Sequence, residues 1–278
     1  MRGRFLFSVA AATGLCLIAS RVPAQFPPIT DPTKDEAKCE TSVGSILAKF
    51  VGSKTKCISK CFATARKTSG PYTGCFGPGF TDPTTNACIK DSAKGAEVKA
   101  ALSIVKACAD APGKDKCPEC YNPAVCTDNT STNPRVVATE SQVDPFGNLI
   151  YCTEALGGTP GKEQGKCEDA VVKALVKFVG SKTKCYAKCQ SNELKGKIAP
   201  GSCTPPATDP ATVTCISDPV KGAEAKTAAA IDKACTPTTK PACYGTQVGN
   251  GWVALVEGQV DSTVPVVACG SPSGAFID

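Results

Sequence analysis

The chain has 278 residues, 42% hydrophobic, 20% charged and 6% aromatic, with nineteen cysteines, one methionine, one tryptophan and no histidine. Without histidine there is no Ser-His-Asp or Cys-His catalytic pair, no His-ligated haem, no HExxH zinc site and no imidazole pH switch. Lysine and arginine total 31 against 25 acidic residues, a formal charge of +6.

The chain opens with the pattern of a secretory signal peptide. Arg2 and Arg4 precede an apolar run from Phe5 to Ile18, and Val22-Pro23-Ala24 ends on a small residue, which predicts a leader over residues 1–24 and cleavage after Ala24. The run is too short for a membrane span, which needs about 20 apolar residues, and no later stretch qualifies. Leu15 stands before Cys16 where a lipoprotein signal needs a small residue, and Gly3 separates the two arginines of a would-be twin-Arg signal. Removal of the leader takes Cys16, Arg2, Arg4 and Arg21, leaving eighteen cysteines and a net charge of +3. An even cysteine count in an exported chain reads as a disulfide framework in a secreted or periplasmic protein. Four-cysteine zinc sites belong mainly to reducing compartments, so neither a metal nor another cofactor is expected.

Internal repetition organises the mature chain. Lys49–Cys57 reads KFVGSKTKC, and the same nine residues return at Lys177–Cys185, 128 positions later. Cys39, Cys57, Cys61 and Cys75 recur as Cys167, Cys185, Cys189 and Cys203; Cys88 and Cys108 recur as Cys215 and Cys235. The string KGAE at Lys94–Glu97 returns at Lys221–Glu224, Cys120-Tyr121 returns as Cys243-Tyr244, and ESQVD at Glu140–Asp144 returns as EGQVD at Glu257–Asp261, with Cys152 matching Cys269. The chain is a tandem duplication. Residues 25–155 form the first repeat domain and 156–278 the second, with the linker Gly157-Gly158-Thr159-Pro160-Gly161 between the copies. Cys117 and Cys126 lie in an insertion specific to the first copy.

Each copy opens with a helical pattern. Cys39, Val43, Ile46, Leu47, Phe50, Cys57 and Cys61 share one face, predicting a long helix over Glu36–Lys67, with Gly52 as a point where it could bend. Val98, Ala101, Ile104, Val105 and Cys108 mark the stripe of a second helix, with Asp91 as its N-cap and Asp218-Pro219 as the equivalent start in the second copy. The pattern then alternates. Trp252–Val256 and Val264–Val267 read as two short strands, as do Val136–Val143 and Asn148–Cys152 around a turn at Asp144-Pro145-Phe146-Gly147; a helix over Trp252–Val260 competes with the strand reading. The fold class is mainly α with small β or irregular regions, built as two tandem disulfide-stapled helical hairpins.

Spacing predicts the bridges. Cys39 and Cys57 lie 18 residues apart on one helix face, about 27 Å, so they cannot pair with each other. In an antiparallel hairpin the numbers of facing residues add to a constant, which pairs Cys39 with Cys108 and Cys57 with Cys88 and leaves Cys61 for Cys75. The same ladder in the second copy pairs Cys167 with Cys235, Cys185 with Cys215 and Cys189 with Cys203. Elimination then gives Cys120 with Cys152, Cys243 with Cys269, and the inserted Cys117 with Cys126.

Few residues point to chemistry. Cys117-Pro-Glu-Cys120 has the spacing of a thiol-exchange site but lacks the strand-then-helix context, and the second copy keeps only one of its cysteines. Lys49, Lys56 and Lys60, with Lys177, Lys184 and Lys188 in the second copy, flank the buried stripe. They form either a solvated face or a surface for an extracellular anionic polymer. Two arginines in the mature chain are too few for bidentate phosphate contacts, and no nucleic-acid partner is expected. The acidic pairs Glu140 with Asp144 and Glu257 with Asp261 are the sole candidates for histidine-free carboxylate catalysis of the glycoside-hydrolase kind. Asn129-Thr130-Ser131 is a glycosylation sequon.

The KCISKC and KCYAKC strings at Lys56–Cys61 and Lys184–Cys189, each after an apolar helix, resemble tandem cysteine-rich helical repeats of secreted bacterial proteins without an assigned role. That resemblance implies a fold and no activity. The residues point to a non-catalytic secreted binding or structural protein; a secreted carboxylate enzyme and a defence or inhibitor protein are the alternatives.

Overall fold

A computed structural model describes residues 33–263 apart from 120, 194, 200, 204 and 205, with side chains described as far as residue 258. The expected leader and its Cys16, the segment Val264–Val267, Cys120 and Cys269 lie outside the described residues.

Ten α-helices carry the described chain: α1 Lys34–Thr68, α2 Pro83–Lys90, α3 Ala96–Cys108, α4 Pro123–Thr127, α5 Pro134–Ile150, α6 Cys152–Ala155, α7 Lys162–Glu193, α8 Pro210–Ser217, α9 Ala223–Ala234 and α10 Gly249–Thr263. The protein is mainly helical; its extended pairing among the described residues is one isolated bridge between Ala111 and Lys114. Local chemistry sets the helix ends. Thr33 opens α1 with a capping box, its hydroxyl accepting from Glu36 N (3.2 Å) while the Glu36 carboxylate accepts from Thr33 N (2.6 Å). Asp35 and Glu36 in the first turn and Arg66 and Lys67 in the last oppose the helix dipole with the favourable sign. Gly52 does not interrupt α1.

The second helix of each hairpin departs from the sequence expectation. It is two helices, and Asp91 ends α2 rather than starting α3. The N-caps are Asp82 and Asp209, each followed by proline at the first helical position and each accepting from both the backbone N–H and the hydroxyl of a threonine three residues on. Asp91 and Asp218 instead accept backbone N–H groups of the connecting turn. Gly95 and Gly222 follow in these turns, where a Cβ would lie 2.6 Å from two backbone carbonyl oxygens, Asp91 and Ile89 in one copy and Asp218 and Ile216 in the other. This packing accounts for the glycine of the repeated KGAE string.

The strand readings are overturned. Val136–Val143 and Asn148–Ile150 lie in the single helix α5, and Trp252–Val256 lies in α10. Val136 and Ile150 are buried on one side of α5, two turns either side of Val143, and Trp252, Val253 and Val256 are buried on α10. These short valine-rich runs satisfy a period of two locally, whereas over a full helix length the buried positions recur at three, four and seven. Asn133 caps α5, and Pro145 lies inside it.

Two long helices form the spine. The start of α1 meets the end of α7 through Gln190, which donates to Glu40 (3.0 Å), and the end of α1 meets the start of α7 through Arg66, which donates to both oxygens of Asp169 (3.2 and 3.1 Å). The two copies are thus related by an approximate two-fold axis crossing α1 and α7. The largest buried cluster draws on both, from Ile58, Phe62 and Tyr151 to Val171, Leu175, Phe178 and Trp252.

Eight disulfides join described cysteines. Cys39–Cys108, Cys57–Cys88 and Cys61–Cys75 form the ladder of the first copy, Cys167–Cys235, Cys185–Cys215 and Cys189–Cys203 that of the second, and Cys117–Cys126 closes the insertion. The eighth corrects the sequence reading. Cys152 is bonded to Cys243, with Cα atoms 6.1 Å apart, so the pairings Cys120 with Cys152 and Cys243 with Cys269 are both excluded. Elimination within each copy failed because the folded copies exchange this bridge. Eight disulfides suit an oxidising, extracellular setting, and no described helix is long and apolar enough to cross a membrane.

Candidate functional site

An apolar cavity of about 150 Å³ lies on the approximate two-fold axis, between α1, α5 and α7. Its walls come in repeat-related pairs: Leu47 with Leu175, Ala48 with Val176, Val51 with Val179 and Thr55 with Thr183. From α5 come Thr139, Val143 and Phe146, and from α10 comes Val256. Threonine hydroxyls on the two spine helices are turned inward on their own backbone, Thr55 to Val51 O (2.7 Å) and Thr183 to Val179 O (2.8 Å), so they add little polarity to the cavity.

Tyr151 closes one end. Its ring stacks on Phe62 with centroids 3.9 Å apart, and its hydroxyl donates to Asp169 (3.1 Å) and accepts from the Ser59 hydroxyl (2.8 Å). Beneath it Arg66 pairs with Asp169 and approaches Glu154 (3.3 Å). Glu168 is fully buried beside Glu154; burial first, then the charge of Glu154, pushes its carboxyl up to about 9. Its counterpart in the first copy, Glu40, is pushed up to about 8 by burial, against the hydrogen bond from Gln190. Both therefore hold a proton at neutral pH.

Away from the cavity, the repeated strings converge on two buried lysines. Lys54, the sixth residue of KFVGSKTKC, is fully buried on α1, with Nζ 2.6 Å from Glu140 Oε1 and 2.5 Å from Asp144 Oδ1. Glu97 of KGAE shares a hydrogen bond with Glu140, and burial, that bond and the Glu140 charge push it up to about 7. Burial favours the protonated form of Glu140 too, but Lys54 and the bond from Glu97 outweigh it and hold that carboxyl below its ordinary value. The second copy repeats the arrangement with Lys182, 2.9 Å from Glu257, and Glu224, whose carboxyl is raised by burial and by Glu257.

The residues singled out in the sequence fall as follows. Glu140 and Asp144 come together, but on a buried lysine rather than across an acidic cleft; Glu257 does the same, and the side chain of Asp261 lies outside the described residues. Cys117 is bonded to Cys126, so the CxxC string is not a disulfide of its own. Lys49, Lys56, Lys60, Lys177, Lys184 and Lys188 are exposed on the outer faces of α1 and α7. Lys54, Lys182, Glu97 and Glu224 were missed. The available signal was that each lies inside a string repeated between the copies.

No protein-family model matches the chain, and neither a curated protein nor a solved structure was found to match it.

Proposed function

We propose that the protein is a secreted, non-catalytic binding module that holds a small apolar molecule in the cavity between its two copies, with the disulfide ladders as a rigid frame. The cavity carries this reading. Ligand sites are concave, mostly apolar and lie preferentially between packed units, and an apolar space of about 150 Å³ accommodates a molecule the size of benzene. Duplication supplies the walls in pairs, so a small, flat, symmetric molecule suits the space better than a polar one.

Toluene tests it. Saturating toluene raises the thermal midpoint through mass action on the folded state, and it perturbs the fluorescence of Trp252, the single tryptophan, one turn from the cavity residue Val256. Val51→Asp and Val176→Asp abolish both effects while the far-ultraviolet circular dichroism is retained. No shift with the unaltered protein at saturation would overturn the proposal.

A second reading is favoured by the exposure of the six lysines, none of which forms an ion pair among the described residues. It has an extracellular anionic polymer bound along the outer faces of α1 and α7. Salt-sensitive retention on an anionic matrix, lost on Lys-to-Gln replacement at these six positions, distinguishes it.

A further inference from the structure

Lys54 occupies an unusual place for an ammonium group. Its side chain has no solvent exposure, and Phe80 lies against it with Nζ 5.4 Å from the ring centroid. Gly77 closes the site on the side of Asp144: a Cβ there would lie 2.9 Å from Asp144 Cγ and 2.9 Å from Phe80 Cζ. The amine nitrogen is thus held between the Glu140 and Asp144 carboxyls, with an aromatic ring and a bare backbone closing the Asp144 side. Asp144 Oδ1 lies 2.5 Å from Nζ. Burying an ion pair in such surroundings costs several kcal/mol of desolvation per charge, and a desolvated lysine is a competent nucleophile.

We propose that Lys54 Nζ and the Asp144 carboxyl condense to an intramolecular amide that joins α1 to α5. Transfer of one proton from the ammonium to the carboxylate gives a free amine and a carboxylic acid. The nitrogen lone pair attacks Cγ, an N–C bond forms, the C–OH bond breaks, and the hydroxyl leaves with a second proton from nitrogen as water. No oxidant, reductant or other reactant is needed, and the product removes two buried charges. Glu140, whose carboxylate accepts from Nζ at 2.6 Å, is the catalytic residue that carries the second proton. Glu97, hydrogen-bonded to Glu140, is a positioning residue. Rigidity favours the step: Cys57, three residues beyond Lys54, anchors α1 to α2.

The test is the intact mass of the mature protein after full reduction and alkylation. It is lower by one water than the sequence mass, and a tryptic digest yields a branched peptide joining Lys54 to Asp144, with no cleavage after Lys54. Glu140→Gln retains the helical circular dichroism and has the full mass; Lys54→Met and Asp144→Ala also have the full mass. An unaltered protein at the full sequence mass, or a branch at Glu140 in place of Asp144, would overturn the proposal. That outcome is read on the natural chain and does not depend on any variant folding or on what the cavity binds.

Discussion

The Cα of Gly95 faces the carbonyl oxygen of Asp91 so closely that a side-chain carbon would sit 2.6 Å from it, and Gly222 stands in the same relation to Asp218. Either residue changed to alanine forces the turn between two helices to open. The cost is that of overpacking, about 1–3 kcal/mol, or roughly 2–4 °C of thermal midpoint per kcal/mol for a chain of this size. Gly180, inside α7 with no atom within 4 Å of its Cβ position, is the control. Gly180→Ala raises the midpoint, since alanine is favoured over glycine inside a helix by up to about 1 kcal/mol. Differential scanning calorimetry of the three variants checks both signs.

Stability falls as pH rises through neutrality. Glu40 and Glu168 hold protons in the fold up to about pH 8 and 9, against an ordinary value of 4.5. Between these limits the folded chain binds more protons than the unfolded one. The stabilisation is therefore complete below about pH 4.5 and is lost toward pH 8–9, with a slope of up to about 1.4 kcal/mol per pH unit per group. The midpoint at pH 8 is lower than at pH 5. Glu40→Gln with Glu168→Gln, which keep the shape and remain neutral, flatten the profile.

Among the described residues Arg66 is the positive partner in the ion pairs of the Asp169 and Glu154 carboxylates, and its guanidinium lies 5.7 Å from the Tyr151 ring centroid. Arg66→Met keeps the stem and removes the charge. It destabilises by about 3 kcal/mol, the scale for removing one partner of a buried pair, and equilibrium urea unfolding measures it.

The bridge from Cys152 to Cys243 predicts covalent linkage across the copies. The repeat relation carries Cys152 to Cys269 and Cys243 to Cys120, so the sequence predicts Cys120 with Cys269 as the remaining pair. A protease site inserted between the exposed Leu156 and Gly157, once cut, leaves a single band on a denaturing gel until reductant is added. Peptide mapping finds Cys120 with Cys269 and no free thiol. Halves that part without reductant would contradict the exchange.

How far these features could be read from residue order depends on their range. The ladders were legible because cysteines on antiparallel helices obey fixed register arithmetic. The exchanged bridge was not, since Cys152 and Cys243 meet only when α1 and α7 cross, a tertiary fact with no local signature. Helix α5 reads as strands, and α10 as either strand or helix, because Val136-Val137 and Trp252–Val256 are too short to separate a period of two from one of 3.6, and Asp144-Pro145-Phe146-Gly147 has turn composition; the helix over Trp252–Val260 is the reading that α10 bears out. Of the cavity walls Leu47, Ala48, Val51 and Thr55 on α1, Leu47 alone belongs to the apolar stripe of the sequence, and a stripe does not reveal where packing leaves a void. Lys54 carries no local signal of its role, because its partner Glu140 is 86 residues away.

The exchange of Cys152 also orders events in time. Its partner lies 91 residues downstream, so at about 5–20 residues per second the first copy must wait roughly 5–20 s with an unquenched thiol while its sibling is still being made. The Cys152–Cys243 bridge therefore closes only after the second copy has been made. A thiol–disulfide isomerase acting on a half-finished chain has a defined substrate in Cys152, and premature closure onto a neighbour is the characteristic way its biogenesis would go wrong.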